Sequence, residues 1–554
     1  MQVQGLKQLS KITLTLSLML ALFPTRFAYS ASLSVNDAGD LGDVSPGDGI
    51  CETIHGTCTL RAAIDETNNL SGPNTITIPA MNIVLNNELR IQYHGGGDSV
   101  HIQGAGTDLT IIDGNNSTRA FYFAIFSGTH SISDLTIRNA NNRYPSSNMA
   151  ERNGGGIFNE AKLTLTNVRV TNSTAFQGGG VYNQHAFGPT SVPLLTLNNV
   201  TLSHNNATAD QLGFGGGGLF NGSALSGTDV TITDNTSPNQ GGGYYNNSFY
   251  TSQLINFSVQ NNVSKYAAGI NNDLGEMILE NGTISSNTSN CCGPGNASTG
   301  GAGLYNNSGT IFVRNVTISN NHAISPGGYG GGIYNGTYME LYNVAIIDNQ
   351  ATYGAGIFNG NYDGSENQLS ITNVTISNNV GISLSSGDAE GGGIYNTNNG
   401  KIMIRNSTIT QNSAGLAGGI TNRDTNTIVK MSNSILASNA DEWGLPDCRG
   451  VIDSLGHNII GNPHGTPTFP CNFASLDTDL LETNPMLGDL EQSNLCYHPL
   501  LPNSPAINRG TNTYCPESDI IGTNRPIGEY CDIGSFEASM PLLSFQLFLP
   551  IISR

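Results

Sequence analysis

The clearest pattern along the chain is an alternation of apolar and polar positions that single asparagines interrupt. It is most regular in LSITNVTISNN, residues 369–379, where two aliphatic residues precede Asn373 and Val374 and Ile376 follow it. Alternation with a period of two predicts strands with one buried face. The single Asn373 predicts a corner, because asparagine tolerates left-handed backbone angles and bonds its own backbone.

This unit recurs ten times. Its corner position is held by Asn167, Asn199, Asp229, Asn256, Asn281, Asn315, Asn343, Asn373, Asn406 and Asn433. Six residues later stand Ser173, Asn205, Asn235, Asn262, Asn287, Asn321, Asn349, Asn379, Asn412 and Asn439. The inward positions between them hold Val168, Val200, Val230, Phe257, Val316, Val344 and Val374, and then Val170, Leu202, Ile232, Val259, Ile284, Ile318, Ile346, Ile376, Ile409 and Leu436. We expect stacked units with aliphatic columns inside and amide columns at the corners.

Each unit also carries a glycine motif, such as GGGIYN at residues 391–396. The copies place an asparagine at Asn159, Asn183, Asn221, Asn246, Asn271, Asn306, Asn335, Asn359, Asn396 and Asn422. A phosphate-binding loop is needed once, whereas ten copies indicate stacked structural units. The glycines allow unusual backbone angles and a close approach to the next unit. We expect Ile394 to point inward, Tyr395 to face outward and Asn396 to begin the next corner.

Three short strands per unit, in the GIYN, LSI and VTI segments, predict the three sides of one coil. The fold class is therefore all-β, a right-handed parallel β-helix or three-sheet solenoid with a small disulfide-containing cap at each end. We expect an N-terminal capping module at 31–75, the β-helix at 76–440 and a C-terminal domain at 441–540. In the first cap, Thr59 starts a short helix with Leu60, Ala63 and Ile64 on one face.

Residues 1–30 read as a secretory signal peptide, because Lys7 and Lys11 precede an apolar run too short to span a membrane. Its removal leaves 18 basic and 41 acidic residues, a net charge of −23. Such a surface repels nucleic acid and anionic membranes. No transmembrane segment is expected after cleavage. The apolar tail at 541–554 is either a sorting signal or a last strand that covers the edge of the solenoid.

Nine cysteines in an exported chain predict disulfides with one thiol left over. Proximity alone suggests three pairs, although sequence does not fix connectivity: Cys51 with Cys58, Cys448 with Cys471, and Cys515 with Cys531. Cys496 is the odd residue. The adjacent Cys291 and Cys292 form either a vicinal disulfide or a staple without function.

Three segments resemble known modules of exported bacterial proteins. CTLRAAIDETN, from Cys58, resembles the N-terminal module named for its Cys-Ser-Leu-Arg-Glu-Ala motif, although Thr59 and Ala62 depart from it. The glycine repeats with VTISNN are similar to those of polymorphic outer-membrane proteins and the pectate-lyase-like superfamily. HPLLPNSPAINRG and RPIGEYCDIGSFE, within 498–537, resemble the choice-of-anchor Q domain. These resemblances imply an exported β-helix and leave activity open.

Candidate chemistry is sparse. Asp37, Asp40, Asp43 and Asp48 are candidate calcium ligands on a flexible loop, or else a solvated acidic loop, since their spacing is not that of an EF-hand. A polysaccharide lyase needs a basic residue beside calcium-binding acids, and Arg138, Arg152 and Arg169 are the candidates. A glycosidase needs converging carboxylates, whereas Asp229, Asp234 and Asp348 occupy repeat positions. Apart from calcium, no cofactor is expected.

The sequence thus predicts a secreted or cell-surface β-helix protein, non-catalytic and adhesive or glycan-binding. Its partner is then an extracellular glycan or a cell-surface protein. Outward Tyr and Phe rows, and loops near 141–153, 288–300 and 380–390, are the expected contact surface. The alternative function is a polysaccharide lyase or glycoside hydrolase that acts on an extracellular polysaccharide.

Overall fold

The computed structural model describes residues 30–539 except 93–98, 125–127, 143–148, 185–193, 210–214, 291–299, 324–326, 362–363, 383–388, 442–446 and 466–469. Over this range the chain forms a parallel β-solenoid, which confirms the predicted fold class. The signal peptide, Cys291, Cys292, the apolar tail and most of the three predicted contact loops lie outside the described residues.

One sheet carries the long strands of the coils. Its strands are Ser32–Ser34, Pro73–Thr77, Met81–Val84, Ser99–Gln103, Thr110–Asp113, Thr129–Arg138, Lys162–Thr171, Leu194–Ser203, Ala224–Thr233, Ser252–Gln260, Glu276–Ser285, Thr310–Ser319, Tyr338–Ile347, Asn367–Ser377, Gly400–Arg405, Thr408–Thr410, Ile428–Ser432, Ile435–Ala437, Cys448–Ser454, Ile459–Ile460, Cys471–Ala474 and Leu480–Leu481. Parallel pairing therefore continues to Leu481, beyond the limit of residue 440 expected for the solenoid.

Two further sets of short strands complete each coil. The strands of the glycine motifs are Leu89–Ile91, Phe121–Phe123, Ile157–Asn159, Val181–Gln184, Leu219–Gly222, Tyr244–Asn247, Ile270–Leu274, Leu304–Asn306, Ile333–Asn335, Ile357–Asn359, Ile394–Asn396 and Ile420–Asn422. The third sheet of the solenoid contains Asn141–Asn142, Thr174–Ala175, Asn206–Ala207, Thr236–Gln240, Val263–Tyr266, Thr288–Ser289, His322–Ala323, Gln350–Ala351, Val380–Gly381, Ser413–Ala414 and Ala440–Asp441. The remaining elements are Glu491–Gln492 paired antiparallel with Cys496–Tyr497, the helices Leu60–Asn69 and Met149–Arg152, and a 3-10 turn, Asn512–Tyr514.

The sides of a coil differ from the prediction in one respect. The LSI and VTI segments form a single strand that bends at the corner asparagine, as in Asn367–Ser377. The third sheet instead comes from the two residues that follow the second asparagine, such as Val380–Gly381. A two-residue strand was missed because it is too short to show alternation.

The aliphatic columns lie where the alternation predicts. Val344 pairs with Val374 and Ile346 with Ile376 in register, and all four side chains are fully buried. From Val168 to Val374 the Val column has one gap, because Gly282 lies between Phe257 and Val316. The Phe257 ring fills the space that a side chain at Gly282 would take.

The corner asparagines have left-handed backbone angles, as expected, with φ of 54° at Asn373. Their amides bond along the column: Asn343 Nδ2 donates to Asn315 Oδ1 at 3.1 Å, and Asn315 Nδ2 donates to Asn281 Oδ1 at 3.0 Å. The row tolerates an acid, since Asp229 takes the same position with a φ of 56°.

The second asparagine row is buried and bonds in the opposite direction along the solenoid. Asn321, for example, donates from its backbone N and from Nδ2 to Asn349 Oδ1 at 3.0 Å each, and Nδ2 also donates to Ile284 O. The series ends on Asp447, whose Oδ1 accepts both N–H groups of Asn439. A carboxylate suits this end because it only accepts.

The glycine motif behaves as predicted at its glycines. Gly391 has a φ of +64°, and a Cβ at Gly392 would lie 2.5 Å from Ser413 O in the next coil. Side chains are excluded because the coils approach this closely.

The motif asparagines form a third buried ladder, which reads Asn159, Asn183, Asn221, Asn246, Asn272, Asn306, Asn335, Asn359, Asn396 and Asn422, with amide bonds of 2.7–3.2 Å. The prediction of Asn271 for this row is wrong. Asn272 pairs with Asn246, while Asn271 pairs with Tyr245 and so takes the aromatic position.

The aromatic residues of the motif are buried, which corrects the expectation of an exposed row. Tyr395 is only 3% exposed. The rings stack coil on coil in two columns, with centroids 4.5–5.5 Å apart, and Asn271 separates the columns. Stacked neighbours cover both faces of a ring, so these columns add packing energy and offer little contact surface.

The first helix has the predicted cap and face. Thr59 Oγ1 accepts from Ala62 N at 3.0 Å, and Leu60, Ala63 and Ile64 are buried. Ser32–Ser34 pairs with Pro73–Thr77, so this segment is continuous with the first coil. Among the described residues no helix is long and apolar enough to cross a membrane.

His130 lies at an interior position of the first coils. Because this histidine is buried, we expect the stability of the protein to depend on pH. Its Nδ1 accepts from Val100 N at 3.1 Å, and burial lowers its pKa to about 4. Between pH 6.5 and 4 the unfolded chain binds the additional proton, so His130 makes the free energy of unfolding fall by about 3 kcal/mol as the pH drops through this window. We expect His130→Leu, which places the leucine of the paired Leu163 position here, to flatten that part of the curve. Denaturant titrations at several pH values measure the free energy of unfolding of both proteins. The same pH dependence in the wild type and in His130→Leu would contradict the role given to His130.

Candidate binding groove

The C-terminal segment folds back over the outward face of the long strands. Thr375 Oγ1 lies 2.9 Å from Ser535 Oγ, and Ser377 Oγ lies 2.9 Å from His498 Nε2. Asn373 Nδ2 donates to Ser518 O at 2.6 Å. The segment is thus held by the hydroxyls and amides that repeat along this face.

A buried ionic network gives this segment its shape. Arg525 lies 3.3 Å from Glu537, and both side chains are buried. Asp519 accepts from Ile521 N at 3.0 Å, from Thr523 N at 2.7 Å and from Glu537 N at 2.9 Å. Burial raises the pKa of Glu537, while backbone N–H groups and Arg525 oppose the shift. The network fixes the turn that carries Ile521.

A groove of about 530 Å³ lies where this turn overhangs the solenoid. Its lining residues are Phe257, Asn281, Gly282, Thr283, Asn315, Asn343, Asn494, Leu495, Ile520, Ile521 and Gly522. Of the described residues that line the groove, none is ionisable. A ligand with a net charge would find no counter-charge in this lining.

The solenoid side of the groove offers ordered amides. Asn281, Asn315 and Asn343 are successive members of the corner column, one per coil. Each amide has two N–H donors and a carbonyl with two lone pairs, and the column uses one donor and one lone pair per link. The remaining groups suit a ligand rich in hydroxyls.

The opposite side and the floor of the groove are apolar. Leu495 and Ile520 are buried beside it, and Ile521 is partly exposed at its rim. The Phe257 ring reaches the floor because Gly282 has no side chain to cover it. Apolar walls opposite convergent polar groups are the usual composition of a small-molecule site.

The carboxylates of the predicted calcium ligands already have hydrogen-bond or ion-pair partners within the N-terminal segment. Asp37 accepts from Gly39 N and Thr57 Oγ1, and Asp40 binds Arg61 through both oxygens. Asp43 accepts from Ser45 N and Glu52 N, and Asp48 accepts from Ile50 N. No three acidic, histidine or cysteine side chains converge as metal ligands within the described part of the chain. The calcium site stays a prediction.

The candidate basic residues of a lyase are paired. Arg138 Nε binds Asp113 at 2.7 Å, and Arg169 binds Asp108 at 3.1 Å. Arg152 lies 3.5 Å from the centroid of the Phe176 ring. The structure places none of the three in the groove lining.

The three proposed disulfides are present. The Cα–Cα distances are 5.2 Å for Cys51–Cys58, 5.3 Å for Cys448–Cys471 and 6.2 Å for Cys515–Cys531. Cys496 is free, as expected, and its side chain is buried.

The groove itself was missed. Asn281, Asn315 and Asn343 were assigned to the corner column, but their second role depends on Leu495 and Ile520, which lie far along the chain. No periodic signal connects these segments, since the C-terminal segment is irregular. The resemblance of RPIGEYCDIGSFE was the available hint, because Arg525 and Glu537 belong to it.

Comparison with known proteins adds little beyond the fold. No family model matches the chain, and no curated protein is similar to it in sequence. The A-module of mannuronan C-5 epimerase AlgE6 from Azotobacter vinelandii has 16% identity and a TM-score of 0.37, over 82% of this chain and all of that one. ORF18 of Geobacillus virus E2 has 11% identity and a TM-score of 0.22, over 81% of this chain and 65% of that one. Both likenesses are too weak to bear on function.

Proposed function

We propose that the chain is an extracellular, non-catalytic protein that binds a neutral glycan in the groove. The observation that carries the proposal is the lining, which combines the amides of three consecutive coils with apolar residues and contains no ionisable side chain among those described. A sugar presents hydroxyls to the amides and its apolar C–H face to Ile520 and Ile521. Disulfides near both ends suit an oxidising, extracellular setting.

The net charge supports a neutral ligand. Acidic residues exceed basic ones by 20 in the whole chain, so an anionic polysaccharide would be repelled at long range. Acidic polymers are usually held by arginine and lysine, and neither lines the groove. The proposed partner is therefore a neutral extracellular glycan, free or on a cell surface.

We expect Ile521→Lys to weaken glycan binding about tenfold. The change removes apolar contact and places a strongly hydrated ammonium in a groove that a sugar must desolvate. Ile521 is 38% exposed, so the lysine is tolerated on stability grounds. Leu501→Lys is the matched control, because Leu501 lies on the same segment outside the groove with 41% exposure. Calorimetric titration with neutral oligosaccharides measures the affinity of each variant. Equal affinities for Ile521→Lys and Leu501→Lys would contradict glycan binding in the groove.

The alternative function, a polysaccharide lyase or glycoside hydrolase, makes a different prediction. Incubation with acidic polysaccharides and calcium would then yield unsaturated or shortened products. The pairing of Arg138 and Arg169 with carboxylates gives this alternative no free base at those two positions. Product formation in this assay would replace the binding proposal with the enzymatic one.

A further inference from the structure

A row of hydroxyls runs out of the groove along the solenoid. It consists of Thr201, Thr231, Ser258, Thr283 and Thr317, which we call the hydroxyl row. These residues pair in exact register on five consecutive coils, at the outward position between the two aliphatic columns. With neighbouring strands about 4.8 Å apart, the row is about 20 Å long. Thr283 belongs to both the row and the groove.

The same row continues beneath the C-terminal segment. Thr317 pairs with Ala345, Ala345 with Thr375, and Thr375 with Thr408. In this covered part Thr375 bonds to Ser535 Oγ, and Thr408 Oγ1 accepts from Ser535 N at 3.1 Å. The chain itself therefore shows that this face binds groups that donate and accept hydrogen bonds, here the hydroxyl and the backbone N–H of Ser535.

The uncovered part has the same groups without such a covering. Thr201, Thr231 and Thr317 are partly exposed, and their hydroxyls have no hydrogen-bond partner among the described residues. Thr283 Oγ1 donates only to Ser258 Oγ, at 3.3 Å. Each hydroxyl therefore still has a donor or an acceptor to offer a ligand.

The backbone pairing and the charges of this face limit which class of ligand can bind along the hydroxyl row. Every strand of the row is paired on both sides with its neighbouring coils, so a peptide cannot add as a further strand. The corner position beside Thr231 is Asp229, and Asp234 follows, so an anionic polymer meets like charge. A neutral, hydroxyl-rich chain meets neither obstacle.

We infer that the ligand is an extended neutral polysaccharide, which enters the groove and lies along the hydroxyl row parallel to the solenoid axis. This inference depends on the proposed function and adds to it the length and the direction of the ligand. The groove holds one short stretch of sugars, and the row holds the sugars that follow. Affinity should then increase with chain length until the row is filled.

Titration with a disaccharide, a tetrasaccharide and an octasaccharide of one neutral glycan tests the inference, with neutral glucans, mannans and galactans as the probes. The octasaccharide should bind at least tenfold more tightly than the disaccharide. The double variant Thr201→Val and Thr231→Val should lower octasaccharide affinity about tenfold and leave disaccharide affinity unchanged, because each lost hydrogen bond contributes modestly. Valine keeps the shape and the strand preference of threonine.

Thr164→Val with Thr196→Val is the matched control, since these paired threonines lie at outward positions on the other half of the long strands, Thr196 on the strand of Thr201 and Thr164 on the strand of the preceding coil. The control should bind like the wild type. Affinity that does not depend on chain length, or an unchanged octasaccharide affinity in the Thr201 and Thr231 variant, would overturn the inference and leave groove binding intact. Absence of binding by every neutral probe would overturn the proposed function as well.

Discussion

Asn321→Asp is expected to lower the free energy of unfolding by about 4 kcal/mol at neutral pH. The aspartate still accepts the two N–H groups of Asn287, at 3.1 and 2.9 Å. It no longer donates to Ile284 O and Asn349 Oδ1, and it faces both oxygens with a buried negative charge. Asn349 Oδ1 keeps the backbone N–H of Asn321, whereas Ile284 O loses its side-chain donor. A buried acceptor left without a donor costs about 1–3 kcal/mol, and the unpaired buried charge adds to that loss. Denaturant titration of the two proteins measures the difference.

The loss should become smaller in acid. A carboxyl group that faces two oxygens has a raised pKa, and its protonated form donates one of the missing hydrogen bonds. The folded variant then binds more protons than the unfolded one, so its stability falls as the pH rises through that raised pKa. Asn315→Asp is the control, because the corner row already contains Asp229, and we expect it to cost under about 1 kcal/mol. Equal losses at Asn321 and Asn315 would refute the distinction between the two rows.

Gly282→Val is expected to destabilise the solenoid by about 3 kcal/mol, and Phe257→Val should rescue it. A Cβ at Gly282 would lie 2.4 Å from Cε1 of Phe257, a contact that no rotamer change of the valine relieves. Overpacking of this kind costs about 1–3 kcal/mol or more. The backbone at Gly282 lies outside the left-handed region, so the cost arises from the ring alone.

The single variant Phe257→Val should also destabilise, because it leaves a cavity beside Gly282. The double variant restores the valine pair that Val316 and Val344 form in later coils. It should therefore be more stable than either single variant, with a coupling of about 2 kcal/mol or more in a double-mutant cycle. Additive losses would contradict the view that Gly282 is small because Phe257 is large. Since Phe257 and Gly282 both line the groove, substitutions at these positions change the lining of the groove as well as the stability of the fold.

The repeating part of the fold could be predicted from the sequence because each coil obeys the same local rules. Asn373 marks a corner and Val374 marks the interior, and neither depends on distant segments. The tight approach of Gly392 to the next coil likewise follows from residue type. Prediction failed where the local pattern was ambiguous. The motif offers two adjacent asparagines, Asn271 and Asn272, and only the pairing with Tyr245 and Asn246 decides which of them joins the ladder.

The groove could not be predicted for a different physical reason. Its walls come from Asn315 on the solenoid and Ile520 on a segment with no periodicity, and their contact depends on how Asp519 and Arg525 fold that segment. The prediction that Tyr395 is exposed was wrong. Alternation indicates to which side of a strand a side chain points, but it does not show that aromatic rings of neighbouring coils cover Tyr395. Long-range packing thus decides both features.

The central claim is that this solenoid recognises a neutral glycan through uncharged groups. The most direct measurement is the affinity of the purified protein for neutral and uronate-containing polysaccharides at low and high salt. The account predicts binding to a neutral glycan that is unchanged by salt, because no ion pair takes part. Binding restricted to acidic polysaccharides, or an affinity that falls steeply with added salt, would contradict it.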